Sequence, residues 1–307
     1  MRYLTWVVTI SIAMLAALVG VRFATAHRFA SENSGFQGLA VNAPVDIVFL
    51  GSSHTRQAYD ARLMEQKTGK KIFLVAYAGL DPVTMLPIVQ HLSQAKERPR
   101  LLVVEVYSAM FGRKHAVDDS RVFFEAPPEL KKRLLREYVE PPRSVDKLMD
   151  GFALLANRNN EAIVAYPLYR ALLPNLSYHG AYEGKFVTGL TAEQFRALRV
   201  PLQGDLRVDP EQRVAFREIV RICRMVNMPV VFVETPMPKT VADLQVMRGL
   251  KEDTRQALAE EKVTYLDGDQ NFPLDDPSLF ADSNHLSTKG RAVFTERVAE
   301  WLMAQPR

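Results

Sequence analysis

Five short apolar runs punctuate the chain: DIVFL at 46–50, KIFLVA at 71–76, RLLVVEV at 100–106, PVVFVE at 229–234 and VTYLD at 263–267. They are short, rich in β-branched residues and bounded by Gly, Pro or charged positions, so each predicts a buried strand. Between them, apolar positions recur at helical spacing. Residues 56–68 predict a helix closed by Gly69, residues 82–96 a second, and residues 241–261 and 288–304 two long ones. The segment 209–227 has Asp209 as N-cap, Pro210 at the first helical position and an apolar stripe through Phe216, Ile219, Val220 and Cys223. Strands that are apolar on both faces and alternate with helices predict an α/β fold: three α/β/α layers around a mainly parallel five-stranded sheet. Ligands bind such sheets beyond the carboxyl ends of the strands. Three chemically dense segments fall there, GSSHT (51–55), YSAMF (107–111) and ETPMPKT (234–240).

Two regions depart from this rhythm. Residues 108–208 hold Pro127-Pro128, Pro141-Pro142, the basic helical stretch ELKKRLLREYV and the tyrosine-rich SYHGAYEGKF. This insertion leaves from the strands' carboxyl edge, which predicts a helical cap over the site. The basic stretch 130–139 reads as the solvated face of that cap, with contact to anionic lipid headgroups as the second reading. The other region is the start of the chain. Residues 3–21 carry no charge and are bracketed by Arg2 and Arg22, and about 20 apolar residues suffice to cross a bilayer as a helix. Ala24-Thr25-Ala26 offers a signal-peptidase pattern, so cleavage is the competing reading. The long apolar run and the single preceding Arg favour a retained signal anchor. The expected organisation is a transmembrane anchor over 1–27, a polar tether over 28–44, and one α/β domain over 45–307 with its insertion.

Composition narrows the partners. Of 307 residues 48% are hydrophobic and 24% charged, and 39 Lys and Arg face 35 Asp and Glu. A net charge of +4 spread over this length gives no basis for a nucleic-acid partner. The one cysteine, Cys223, lies on an apolar helical face, which argues against a disulfide framework, a cysteine zinc site or a thiol catalyst. His91 and His115 have no ligand partners at metal spacing, so neither a metal nor another cofactor is expected.

The candidate chemistry lies at the two ends of the fold. Ser52 and Ser53 follow the first strand, and Asp282 and His285, with two residues between them, stand just before the last helix. An Asp-x-x-His turn can set a carboxylate against an imidazole and leave its other nitrogen for a serine hydroxyl, which is a weak nucleophile until a base takes its proton. The plainer reading of Ser52 and Ser53 is helix capping. His54 is expected to point into the helix start, and His179 to be a solvated loop residue. Glu105, inside an apolar strand, must be paired or functional; Arg56 and Arg100 are the candidate partners.

A Gly-x-Ser block after the first strand together with Asp-x-x-His before the last helix resembles the SGNH/GDSL hydrolase superfamily. The resemblance implies Ser53 as nucleophile, His285 as base, Asp282 as its orienting acid, and the backbone N–H groups of Ser53 and Gly79 as oxyanion donors. The superfamily's third block, Gly-x-Asn, has no counterpart in EVYSAMF, where Tyr107 and Ser108 are the nearest replacements. FLGSSHTR with a late FADSNHLSTKG is similar to the membrane-anchored branch, which includes the D-alanine transfer protein of teichoic-acid operons and the SGNH-like proteins of polysaccharide O-acetylation. That likeness implies a single-pass protein with its domain outside the cytoplasm, acting on acyl groups of a glycan or other cell-envelope polymer. It also implies a membrane-bound O-acyltransferase as partner. A tethered general esterase or lipase, and a non-catalytic scaffold that binds glycan or partner, are the alternatives.

Overall fold

The computed structural model describes residues 2–29, 35–36, 39, 44–106, 122, 126–138, 188–198 and 209–305. The five expected strands form within one residue of their predicted limits: β1 Ile47–Gly51, β2 Ile72–Ala76, β3 Leu101–Glu105, β4 Val230–Val233 and β5 Thr264–Leu266. They make one parallel sheet in the order β2-β1-β3-β4-β5. Leu50 lies opposite Val75 on one side and Val104 on the other, so β1 is an inner strand, buried throughout.

Alternate residues feed two layers. Val48, Leu50, Phe73, Val75, Leu102, Val104 and Phe232 face helices α4 (Pro82–Gln94), α5 (Pro128–Tyr138) and α7 (Pro210–Met225). Ile47, Phe49, Leu74, Val103, Val231 and Val233 face α2 (Ser53–Ala58), α3 (Ala61–Thr68) and α10 (Thr288–Ala304). Both sheet faces are therefore covered, which is why the strand sequences run apolar without alternation. Each such side chain removed from water contributes about 1.5–3 kcal/mol. The three α/β/α layers agree with the sequence reading. Cys223 is buried in the first layer and burial pushes its thiol up to about 12, which leaves little thiolate at neutral pH.

Two expected helices are each broken in two. The one predicted over 56–68 becomes α2 and α3, because Tyr59 takes an extended backbone and buries its ring against Phe49 and Phe294, with centroids at 4.5 and 5.7 Å. Asp60 then caps α3, its carboxylate accepting from the N–H groups of Arg62 and Leu63 at 3.0 and 3.1 Å. Gly69 ends α3 in the left-handed region, as predicted. The helix predicted over 241–261 becomes α8 (Lys239–Ala242) and α9 (Gln245–Glu260), and the break lets Val241, Met247 and Leu250 close around Met237.

Of the insertion over 108–208, only Val122, residues 126–138 and residues 188–198 are described. Helix α5 buries Leu130 and Leu134 in the first core and packs on α4, while Lys132 and Arg136 are exposed. Its basic face is solvated as expected, and its apolar face extends a layer of the domain. Helix α6 (Ala192–Arg196) is the last described helix of the insertion. Just before it, the Leu190 N–H donates to the carbonyls of Pro277 and Phe280 at 3.0 and 2.9 Å, tying this end of the insertion to the loop that carries Asp282.

At the start of the chain, α1 covers Arg2–Phe29, the region expected to span a membrane. Its side chains are described at Tyr3 and over 5–17, and among these described residues no helical stretch is long and apolar enough to cross a membrane. The expected span is not supported by that stretch alone. Its large apolar side chains are nevertheless exposed, Trp6 at 67%, Ile12 at 62% and Leu15 at 63%.

Candidate active site

The site is built where β1 gives way to α2. Ser52 is the N-cap of α2, its Oγ accepting from the His54 N–H at 3.1 Å, which is the capping role read from the sequence. Ser53, one residue on, is the first residue of the helix and is left for other work.

The partner loop arrives from the far end of the chain. Beyond β5 the backbone returns along the carboxyl edge of the sheet, and α10 packs against α2 and α3. Thr295 fastens this contact, its Oγ1 accepting from the Asp60 N–H at 3.0 Å and donating to the Ala58 carbonyl at 3.3 Å. The loop before α10 is equally fixed. Ala281 N–H donates to the His285 carbonyl at 2.8 Å and Ser287 N–H to the Leu279 carbonyl at 2.9 Å. Asp282 Oδ1 accepts from the N–H groups of Asn284 and His285, both at 2.9 Å. The Asp-x-x-His spacing is thus an Asx-type turn that aims both side chains the same way.

The result is one hydrogen-bonded line. His285 Nδ1 lies 3.0 Å from both carboxylate oxygens of Asp282, and His285 Nε2 lies 2.9 Å from Ser53 Oγ. Burial alone would raise the Asp282 carboxyl. The hydrogen bond and charge of His285 and the two backbone N–H groups outweigh it and hold the group below the ordinary carboxylate range. An ionised Asp282 can only accept, so Nδ1 carries the proton and Nε2 is the acceptor for the Ser53 hydroxyl. The structure therefore brings together Ser53, His285 and Asp282, the three side chains singled out in the sequence.

The two expected oxyanion donors lie in the turns after the neighbouring strands β1 and β2. Among the described residues no acceptor takes the N–H of Ser53 or of Gly79. Gly79 sits at φ 80° in the turn after β2, a conformation that favours glycine. That turn is held to the first by the Tyr77 N–H, which donates to the Gly51 carbonyl at 3.0 Å. Tyr107, Ser108, His115 and His179 lie outside the described residues.

Two expectations are corrected. His54 does not simply point into the helix start: its buried ring stacks on His285, with centroids 4.8 Å apart and planes 18° from parallel. Glu105 is not paired with an arginine. Arg100 reaches Asp46 instead, at 3.5 Å. The Glu105 carboxyl accepts from the Ser52 N–H and Oγ–H, both at 2.7 Å, from the Thr55 N–H at 2.9 Å, and from the Thr55 hydroxyl. The strand pairing explains the choice, because β3 lies beside β1 and brings its last residue under the turn that follows β1. Strand alternation puts Glu105 on the face of Val103, but the order of strands in the sheet is not written in any local segment.

No family model matches the sequence, and neither does any curated protein. Solved structures similar to this chain include GDSL-type lipases, esterases and an acyltransferase. A GDSL-like lipase from Bacteroides thetaiotaomicron is 9% identical, with 91% of this chain and 99% of that one covered and a TM-score of 0.39. Est24, a carbohydrate acetylesterase from Sinorhizobium meliloti, is 11% identical over 85% of this chain and 99% of its own, with a TM-score of 0.36. The salicylyl-acyltransferase SsfX3 of a tetracycline biosynthetic pathway is 12% identical over 86% of this chain and 56% of its own, with a TM-score of 0.40. The chemistry rests on the residues of this chain and not on these likenesses.

Proposed function

We propose that the chain is an SGNH-type serine esterase or acyltransferase. The observation that carries this reading is the line from Ser53 Oγ through His285 to Asp282. In the first half-reaction His285 Nε2 takes the hydroxyl proton as Ser53 Oγ attacks an ester carbonyl. The N–H groups of Ser53 and Gly79 receive the developing oxyanion, a contribution of about 3 kcal/mol per donor. As the ester C–O bond breaks, the imidazolium returns the proton to the departing alcohol, leaving an acyl-Ser53 ester. In the second, water or an acceptor hydroxyl gives its proton to His285 and attacks the acyl group, and as the acyl–Oγ bond breaks the imidazolium returns that proton to Ser53 Oγ. Asp282 fixes the ring tautomer and stabilises the imidazolium in both halves.

The setting belongs to the same proposal. The domain is held outside the cytoplasm by a membrane-spanning α1, acts on acyl groups of a cell-envelope polysaccharide or related polymer, and works beside a membrane-bound O-acyltransferase. The uncharged run over 3–21 and the exposed apolar side chains of α1 support the anchor. The resemblance in the GSSHT and DSNH segments supports the substrate class and partner. The test is acyl release by the purified full-length chain in mild detergent, from short- and long-chain nitrophenyl esters and from an O-acetylated polysaccharide. Release of acetate from the polysaccharide that disappears in Ser53→Ala is expected. Turnover confined to long-chain esters would replace the polymer with a lipid substrate, and equal turnover by wild type and Ser53→Ala would remove the catalytic reading.

A further inference from the structure

Glu105 is expensive where it stands. It is 4% exposed, at the end of a strand whose neighbours Val103 and Val104 are apolar core. A buried carboxylate costs several kcal/mol unless its oxygens are fully hydrogen-bonded. Here they are, and every donor comes from the turn that carries the nucleophile. Oε2 takes the N–H groups of Ser52 and Thr55 and the Thr55 hydroxyl, and Oε1 takes the Ser52 hydroxyl.

The consequences for Ser53 follow from which groups are consumed. The Ser52 and Thr55 N–H groups are committed to Glu105, the His54 N–H to Ser52 Oγ, and the Arg56 N–H to the Ser52 carbonyl. Among the described residues the Ser53 N–H alone in this turn is given no acceptor. Ser52 and Thr55 are thus tied to the end of β3, while the Ser53 hydroxyl meets His285 Nε2 at 2.9 Å. Gly51 is part of the same device. A Cβ there would stand 1.9 Å from Thr55 Oγ1, 2.3 Å from Glu105 Oε2 and 2.6 Å from Glu105 Cβ, so the carboxyl occupies the space a side chain would fill.

We infer that Glu105 is a positioning residue for the nucleophile: its carboxyl clamps Ser52 and Thr55 so that the Ser53 hydroxyl and N–H face the reacting carbonyl together. This rests on the reading of Ser53 as nucleophile and extends it to a residue that touches no substrate. Burial pushes the Glu105 carboxyl up, against the pull of its four hydrogen bonds. A group raised in the folded state is most favourable below its ordinary range, and its charge costs stability as pH rises above that range. The clamp therefore serves geometry at the expense of stability.

The test is the rate of fluorophosphonate labelling of the full-length chain in detergent, resolved into a maximal rate and a half-saturating concentration. For Glu105→Gln, which keeps the shape and removes the charge, the maximal rate is expected to fall about tenfold or more. The half-saturating concentration should stay within about twofold, and the melting temperature at pH 8 should be no lower than in wild type. The double variant Ser52→Ala/Thr55→Val, which removes two donors and leaves the acid, should lose maximal rate in the same way and keeps the question answerable if Glu105→Gln does not fold. Wild-type labelling rates in both would overturn the inference, as would a loss of rate matched by an equal loss of folded protein. Ser53→Ala separates this from the reading beneath it. If Ser53→Ala still labels, or wild type does not, the nucleophile assignment fails; if labelling needs Ser53 but not Glu105, only the positioning role fails.

Discussion

Within the site, Asp282 does more than complete a line of hydrogen bonds. Its carboxylate holds the tautomer of His285 and anchors the backbone of its own turn. Asp282→Asn can donate to Nδ1 and so stabilises the wrong tautomer, and turnover is expected to drop about 10²–10⁴-fold with little change in KM. The stability effect has a defined sign. Because the carboxyl is held below its ordinary range, it contributes stability above that range and loses it as pH falls through the lowered value. The melting-temperature gap between wild type and Asp282→Asn should be full at pH 7 and close below about pH 4. His54 bears on the same base through its ring, stacked at 4.8 Å. His54→Ala removes that wall and should slow labelling about tenfold, because small misplacements of a catalytic group are costly. His54→Phe restores a flat ring and should recover most of the rate. Equal loss in both variants would mean that the imidazole acts by its nitrogens and not by its plane.

Among the elements, the junction of β1 and α2 carries the constraint. Gly51→Ala places a methyl group inside Thr55 and Glu105, both held by several hydrogen bonds, so neither can step aside cheaply. The variant should lose about 1–3 kcal/mol in denaturant unfolding and label slowly even where folded; a neutral effect on both would show the turn to be soft. Much of this architecture was legible in the sequence. Apolar runs such as DIVFL mark their own strands, Asp209-Pro210 marks a helix start and Gly69 a helix end, because these signals are local. Ser53, Asp282 and His285 were legible through their blocks and their places between elements. What was not legible depends on contacts far apart in sequence. The break at Tyr59 comes from packing on Phe49 and Phe294, and the partners of Glu105 come from β3 lying next to β1. The stacking of His54 on His285 joins residues 231 positions apart, which no spacing rule reports.

For the whole molecule, the question is what covers α1. Trp6, Val7, Val8, Ile10, Ile12 and Leu15 are exposed and spread around the circumference of the helix, a pattern that water does not favour and lipid does. The full-length protein should remain with membranes after an alkaline carbonate wash, and a chain lacking residues 2–29 should be released. Release of the full-length protein would contradict the anchor while leaving the site untouched. The proposed anchor would confine the domain to the bilayer surface and to substrates that reach it there. The central claim nevertheless stands on one oxygen atom. The most direct measurement is the intact mass and peptide map of the full-length protein after fluorophosphonate treatment. The account predicts a single adduct on the peptide bearing Ser53, lost in Ser53→Ala and in His285→Ala and retained in Ser52→Ala. An adduct on Ser52, or none on a folded wild-type chain, would contradict it.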